Sequence, residues 1–117
     1  MALAESADLT LVGVGQMGPR APIVVDGFMA LPEMMDLLAL GAVGEITSWV
    51  YGADGRLLDC GHNRRVASAP LAPAADRLRV AVAVGEAKQA ALLAALHGRL
   101  VNGLVTSEAA AERLLAA

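Results

Sequence analysis

The sequence predicts an α/β fold built on a mostly parallel sheet with flanking helices. Three observations carry that expectation. Short apolar, β-branched runs stand at residues 9–14, 79–84 and 100–105, the pattern of strands covered on both faces. An alanine- and leucine-rich segment over residues 86–97 joins the last two runs by short links, and strand–helix–strand in that order makes a parallel pair with a right-handed crossover. The apolar fraction is 56%, with a single Trp, Tyr and Phe, so the core consists of small aliphatic side chains that suit helices packed closely on a sheet.

Each element has a local reason. Residues 1–7 are alanine-rich without a clear period and read as a short helix or the tail of one. The run Leu9-Thr10-Leu11-Val12-Gly13-Val14-Gly15 is a strand ended by glycines. Residues 15–29 hold Gly15, Gly18, Pro19, Pro22 and Gly27 and read as a loop, with a brief extended piece at Ile23-Val24-Val25. A helix over residues 32–40 starts on Pro32 and stops at Gly41, with Leu31, Met34, Met35 and Leu38 as its apolar face. Residues 45–58 read as extended: β-formers from Glu45 to Tyr51, a turn at Ala53-Asp54-Gly55, and a return over residues 56–58. Residues 59–76 are irregular, broken by Gly61, Asn63, Pro70 and Pro73. A strand over residues 79–84, a helix over 86–97 stopped by Gly98, and a strand over 100–105 interrupted at Asn102-Gly103 follow. Ser107 caps a last helix through residue 115, with Glu108 in its first turn favoured by the helix dipole.

Composition excludes several functions. A chain of 117 residues suits one domain with a real core and no disulfides. The net charge is −3 and no run of Lys or Arg exists, so the chain lacks the electrostatic footprint of a nucleic-acid binder. Any DNA contact would lie outside it. Cys60 stands alone, and His62 and His97 have no second ligand at metal spacing; neither a metal nor a cofactor is expected. No secretory signal and no apolar stretch of membrane-spanning length is visible, which points to the cytoplasm and away from membranes. Residues Gly13-Val14-Gly15-Gln16-Met17-Gly18 spell the dinucleotide fingerprint. The motif works only where a helix begins at once, so that its free N–H groups hold the pyrophosphate. Pro19 and Pro22 interrupt that segment, and the glycines read instead as a strand-end turn.

The candidate site follows from strand ends. In parallel α/β sheets ligands bind beside the carboxyl ends of the strands. Gly85-Glu86-Ala87-Lys88 joins such an end to a helix N-terminus, where N–H groups and the dipole favour an anion. Lys88 is unfavourable against that dipole unless an anion binds; otherwise it is a solvated lysine. Glu45, at the start of the strand carrying Trp49, is a candidate for sugar hydroxyls, or a polar strand end.

Five stretches resemble the sugar-binding domains of SorC/DeoR-type transcriptional regulators. They are Ala7-Asp8-Leu9-Thr10-Leu11-Val12-Gly13-Val14-Gly15; Gly41-Ala42-Val43-Gly44-Glu45-Ile46; Tyr51-Gly52-Ala53-Asp54-Gly55-Arg56; residues 79–88; and Val101 onward through Ala110. Their order and spacing agree from about residue 8 to residue 115. The resemblance implies a Rossmann-like sheet related to phosphosugar isomerases and CoA transferases. It implies a non-enzymatic domain that binds a phosphorylated sugar and thereby changes DNA binding. By position, Lys88 matches the family lysine near the effector phosphate, Glu45 an acidic residue on the sugar, and Gly85 one of two loop glycines; Val84 replaces the other. The family's DNA-binding part and the earlier half of its effector domain have no counterpart here, so the chain reads as the C-terminal portion of that domain. The uncovered strand edges and apolar faces then predict a homo-oligomer. The rival readings are a sugar-phosphate isomerase, for which Glu45 is the one candidate base, and an oligomerisation module without an intact ligand site.

Overall fold

The computed structural model describes residues 9–67, 71–74 and 77–116; the expectation for residues 1–7 and parts of the irregular 59–76 stretch lie outside them. Strands β1 (Leu9–Gly13), β5 (Leu78–Val82) and β6 (Gly103–Val105) form one sheet in the order β1-β5-β6. Both pairings are parallel, with Leu11 beside Val80 and Val80 beside Gly103. Between β5 and β6 the chain makes a single 3-10 turn (Glu86–Lys88) and then helix α4 (Gln89–His97). The expected strand–helix–strand unit is therefore present. Its helix begins later than residue 86, and β6 begins only at Gly103, because Asn102 is spent on the link. The Asn102 side chain accepts from Arg79 N at 2.8 Å and donates to Arg77 O at 2.8 Å.

A second, antiparallel sheet holds β2 (Gly15–Gln16), β3 (Ala42–Ile46) and β4 (Trp49–Gly52), in that order. The extended stretch expected from Glu45 to Tyr51 is thus two strands, and Glu45 sits inside β3 rather than opening the strand of Trp49. Thr47 and Ser48 take positive φ (49° and 76°) in a two-residue hairpin turn. Such turns usually advertise themselves by Asn-Gly or Asp-Gly, and Thr-Ser does not. The expected bend at Asp54-Gly55 is real, with Gly55 at φ +76°, but the return strand reduces to one bridge between Tyr51 and Leu57.

Helix α2 (Leu31–Ala39) matches its expected span, with proline in the first turn and Gly41 beyond its end. Its buried face is Met34 and Leu37, with Leu38 partly buried beside them; Leu31 and Met35 are exposed. Ile23-Val24-Val25, expected as extended, belongs to a helical turn, α1 (Pro22–Val25), that starts on its proline. Gly61 and Asn63, read as breakers, lie in another, α3 (Gly61–Arg64). Asn63 is buried and accepts from Val50 N at 2.9 Å while donating to the carbonyls of Val50 and Leu58, each at 2.8 Å. It satisfies the Val50 N–H on the edge of β4, which left bare would cost about 1–3 kcal/mol; the Val50 carbonyl also accepts from Leu58 N at 3.0 Å. Helix α5 (Glu108–Ala116) is capped as expected, Ala110 N donating to Ser107 Oγ at 3.1 Å.

Two cores hold these layers together. Ala91, Leu92, Ala94 and Ala95 of α4 share one with Val12 and Ala81 of the parallel sheet, with Val14 and Ala83 just beyond its strand ends, and with Ile46 and Tyr51 of the hairpin. A helix apolar on every side is a buried helix, and α4 is wedged among both sheets. The second core joins Met34 and Leu37 of α2 to Ala42, Val50 and Cys60. The parallel sheet departs from expectation on its other face. Leu9, Leu11, Leu78, Val82 and Val105 are exposed, so the strand expected to be covered on both sides is covered on one.

Candidate functional site

The parallel strands end at one rim, and the chain leaves β1 there through Gly13, Val14 and Gly15 into the antiparallel sheet. Beside that rim lies a cavity of about 280 Å³, whose wall includes Gly13, Gly15, Gln16, Glu45 and Lys88. That lies just below the range for ligand pockets, roughly 300–1,000 Å³. Glu45 and Lys88, expected from sequence to act together, are thus brought to one opening from two different layers. Gly85, the third expected residue, does not line the cavity. It is exposed, takes φ +112°, and its carbonyl accepts from Lys88 N at 3.2 Å. Its role is to turn the chain from β5 so that Lys88 arrives at the wall.

Glu45 is held in two ways. One carboxylate oxygen accepts from Ser48 N at 3.0 Å and so steadies the strained hairpin turn. The other lies directly over Gly15, where any Cβ would collide with it. A side chain at position 15 would have to displace the end of Glu45. Lys88 is half-buried and takes part in none of the ion pairs among the described residues.

Two neighbours, neither of them a site candidate from sequence, stand beside this arrangement. Tyr51 is fully buried, and its hydroxyl donates to the carbonyl of Ala91 in α4 at 2.8 Å. Its ring lies over Gly44, where a Cβ would meet both the phenol and the Ala91 methyl. Burial, and secondarily the negative charge of Glu45, push its ionisation well above the ordinary tyrosine range. Gln16 pairs with Gly44 across β2 and β3 and lines the same cavity.

Away from this cavity, His62 makes a hydrogen bond through Nε2 to Ser48 O (2.8 Å), while Nδ1 faces the Glu33 carboxylate at 3.2 Å, which also receives Arg65 at 3.0 Å. That cluster pins the hairpin turn to α2. Among the described residues, no group of three or more His, Cys, Asp or Glu is placed to hold a metal ion. No helix among them is long and apolar enough to cross a membrane.

The family model described as "Putative sugar-binding domain" matches residues 1–116. The chain is 36% identical over 112 residues to the sorbitol operon regulator of Klebsiella pneumoniae, covering 95% of this chain and 36% of that protein. It is 38% identical over 117 residues to the transcriptional regulator LsrR of an Enterobacter species, covering 97% of this chain and 36% of that one. The crystal structure of the full-length Klebsiella pneumoniae sorbitol operon regulator superposes with a TM-score of 0.83 at 34% identity, over 97% of this chain and 37% of that one. The chain therefore spans about a third of the length of these relatives.

The environment of Tyr51 sets an alkaline limit on the fold. The folded chain keeps the phenolic proton to higher pH than the unfolded chain, where it leaves near about pH 10. This contribution is complete below that pH and is lost as pH rises above it. Tyr51 is the chain's sole tyrosine, so near-ultraviolet tyrosinate absorbance reports it alone. The expected result is tyrosinate appearing together with loss of helical circular dichroism; tyrosinate forming at about pH 10 with the fold intact would contradict the burial.

Proposed function

This chain belongs to the Sugar-bind family of sugar-binding domains of transcriptional regulators, and we propose that it is the effector-sensing portion of such a regulator. The observation that carries the proposal is the meeting of Glu45 and Lys88 on one cavity wall at the ends of the parallel strands. A half-buried ammonium with no ion pair among the described residues is a seat for an anion, and charge-assisted hydrogen bonds are about twice as strong as neutral ones. A carboxylate beside it accepts from hydroxyls. The complement of that pair is a phosphorylated sugar or sugar alcohol, its phosphate on Lys88 and its hydroxyls toward Glu45, with Gly85 presenting the turn. The name of the sorbitol operon regulator, a protein similar to this one, supports a polyhydroxy guest.

The site acts as a receptor and not as an isomerase. Moving a proton between carbons needs a positioned base and a matching acid. Glu45 is the one carboxylate of the cavity wall, and one of its oxygens is occupied by the hairpin turn. In this reading the chain is the C-terminal portion of an effector domain. DNA is reached through a part outside these residues, in the cytoplasm, and needs no metal or cofactor. The chain also associates with copies of itself, since Leu9, Leu11, Leu78, Val82 and Val105 present a continuous apolar face along the paired strands.

Thermal unfolding against a panel of sugar and sugar-alcohol phosphates tests the receptor reading. A guest at 100 times its Kd should stabilise the fold by about 2.7 kcal/mol. Lys88→Ala should weaken that guest by about tenfold or more. Silence of the wild-type chain across the panel would contradict the proposal. Multi-angle light scattering tests the association: a mass of two or more chains is expected, and a monomer at all concentrations would refute it.

A further inference from the structure

The hairpin turn that steadies Glu45 is itself held by other side chains, and that hold depends on a proton. Thr47 and Ser48 both take positive φ, 49° and 76°. Neither residue type favours such backbone, and it persists where surrounding contacts over-determine it. Two of those contacts fall on Ser48. Its N–H donates to Glu45 Oε2 at 3.0 Å, and its carbonyl lies 2.8 Å from His62 Nε2. His62 sits in α3, and its other ring nitrogen, Nδ1, lies 3.2 Å from Glu33 Oε1 of α2. Both nitrogens thus face acceptors, a carbonyl and a carboxylate. A neutral imidazole carries one N–H and can serve one of them; the imidazolium serves both. Arg65, just past the end of α3, reaches the same Glu33 oxygen at 3.0 Å. Glu33 and Arg65 are the charged side chains that share with His62 the wall of a depression beside the turn.

A chain of contacts therefore runs from Glu33 through His62 and the two peptide groups of Ser48 to the Glu45 carboxylate. We infer that His62 is a positioning residue for the ligand cavity: as the imidazolium it locks the hairpin turn, and the turn holds Glu45 toward the hydroxyls of a polyol phosphate. The inference rests on the reading of the cavity proposed above, and His62 itself lies outside the wall of that cavity. Its consequence is a preference that depends on pH. When the ring gives up one proton, one of its two acceptors is left without a donor. Loss at Ser48 O frees the turn, and loss at Glu33 frees the ring from α2; either breaks the chain. Lys88 has no part in these contacts, so the seat of the anion is untouched. Protonation of His62 thus acts on how well hydroxyls are recognised and not on the phosphate.

The test is a methyl-detected NMR titration of the whole chain with sorbitol 6-phosphate and with n-propyl phosphate, which carries the anion and no hydroxyl. It is run at about pH 5.5 and about pH 8, across the range in which histidine changes charge. Both guests are phosphate monoesters, so the ratio of their affinities cancels changes at the phosphate itself. The wild type should prefer sorbitol 6-phosphate at the lower pH, and the preference should fall by about fivefold at the higher one, the loss of one hydrogen bond. His62→Gln, which keeps a neutral donor, should show the reduced preference at both pH values and bind n-propyl phosphate as the wild type does. His97, the chain's other histidine, remains in that variant, so the difference belongs to His62. A wild-type preference that does not change with pH overturns the inference, whether or not His62→Gln folds. So does a folded His62→Gln that keeps the wild-type preference and pH profile, or that loses both guests equally. A wild-type chain that binds neither guest overturns the cavity reading and this inference with it.

Discussion

The structure depends on one contact between layers: the Tyr51 phenol reaching across Gly44 to the carbonyl of Ala91. The two residues are 40 positions apart. One belongs to the hairpin that carries Glu45, the other to the helix that follows Lys88. A buried aromatic ring is among the largest single apolar contributions a small domain has, and its hydroxyl must find a partner when buried. Here both requirements are met at one point. Gly44 has to be glycine for the ring to lie flat on β3, and Ala91 has to be small for α4 to come equally close. The spacing between Glu45 and Lys88 is therefore set by packing behind the cavity wall rather than by any contact across it.

Around that contact, two asparagines hold irregular backbone where regular pairing stops. Asn102 bonds the start of β5 to the link before β6, and Asn63 closes the edge of β4. Each replaces a strand neighbour by side-chain amide groups, whose carbonyl and NH₂ can serve both polarities of the peptide. The parallel sheet can then remain three strands wide while its ends stay registered. The rim where ligands bind in this class of fold is formed by just those ends.

Much of this was legible in the sequence, and the failures share a cause. The parallel pair bridged by a helix, the Ser107 cap and the span of α2 follow from local signals: apolar runs, a capping side chain, proline and glycine at the two helix ends. Glu45 and Lys88 were singled out from strand ends and from the family resemblance, and the structure places both on one cavity. What was missed is tertiary. The Thr47-Ser48 turn has no turn residues and is held by Glu45 and His62 from outside. Asn63 looks like a breaker until Val50 is placed beside it. Tyr51 falls in a stretch singled out for its turn rather than its ring, and only the approach of β3 and α4 gives it a role. The strand 9–14 carries residues suited to burial on both sides, yet the described residues cover one side and leave the other open.

In the proposed reading, the open face serves association and the cavity serves an effector. The clamp of hairpin on helix is measured directly by a nuclear Overhauser experiment on the whole chain. Cross-peaks are expected from the Tyr51 ring to the Ala91 methyl and to the Gly44 α-protons. A folded chain whose Tyr51 ring shows neither would contradict it, because Glu45 and Lys88 would then have nothing to bring them to one wall.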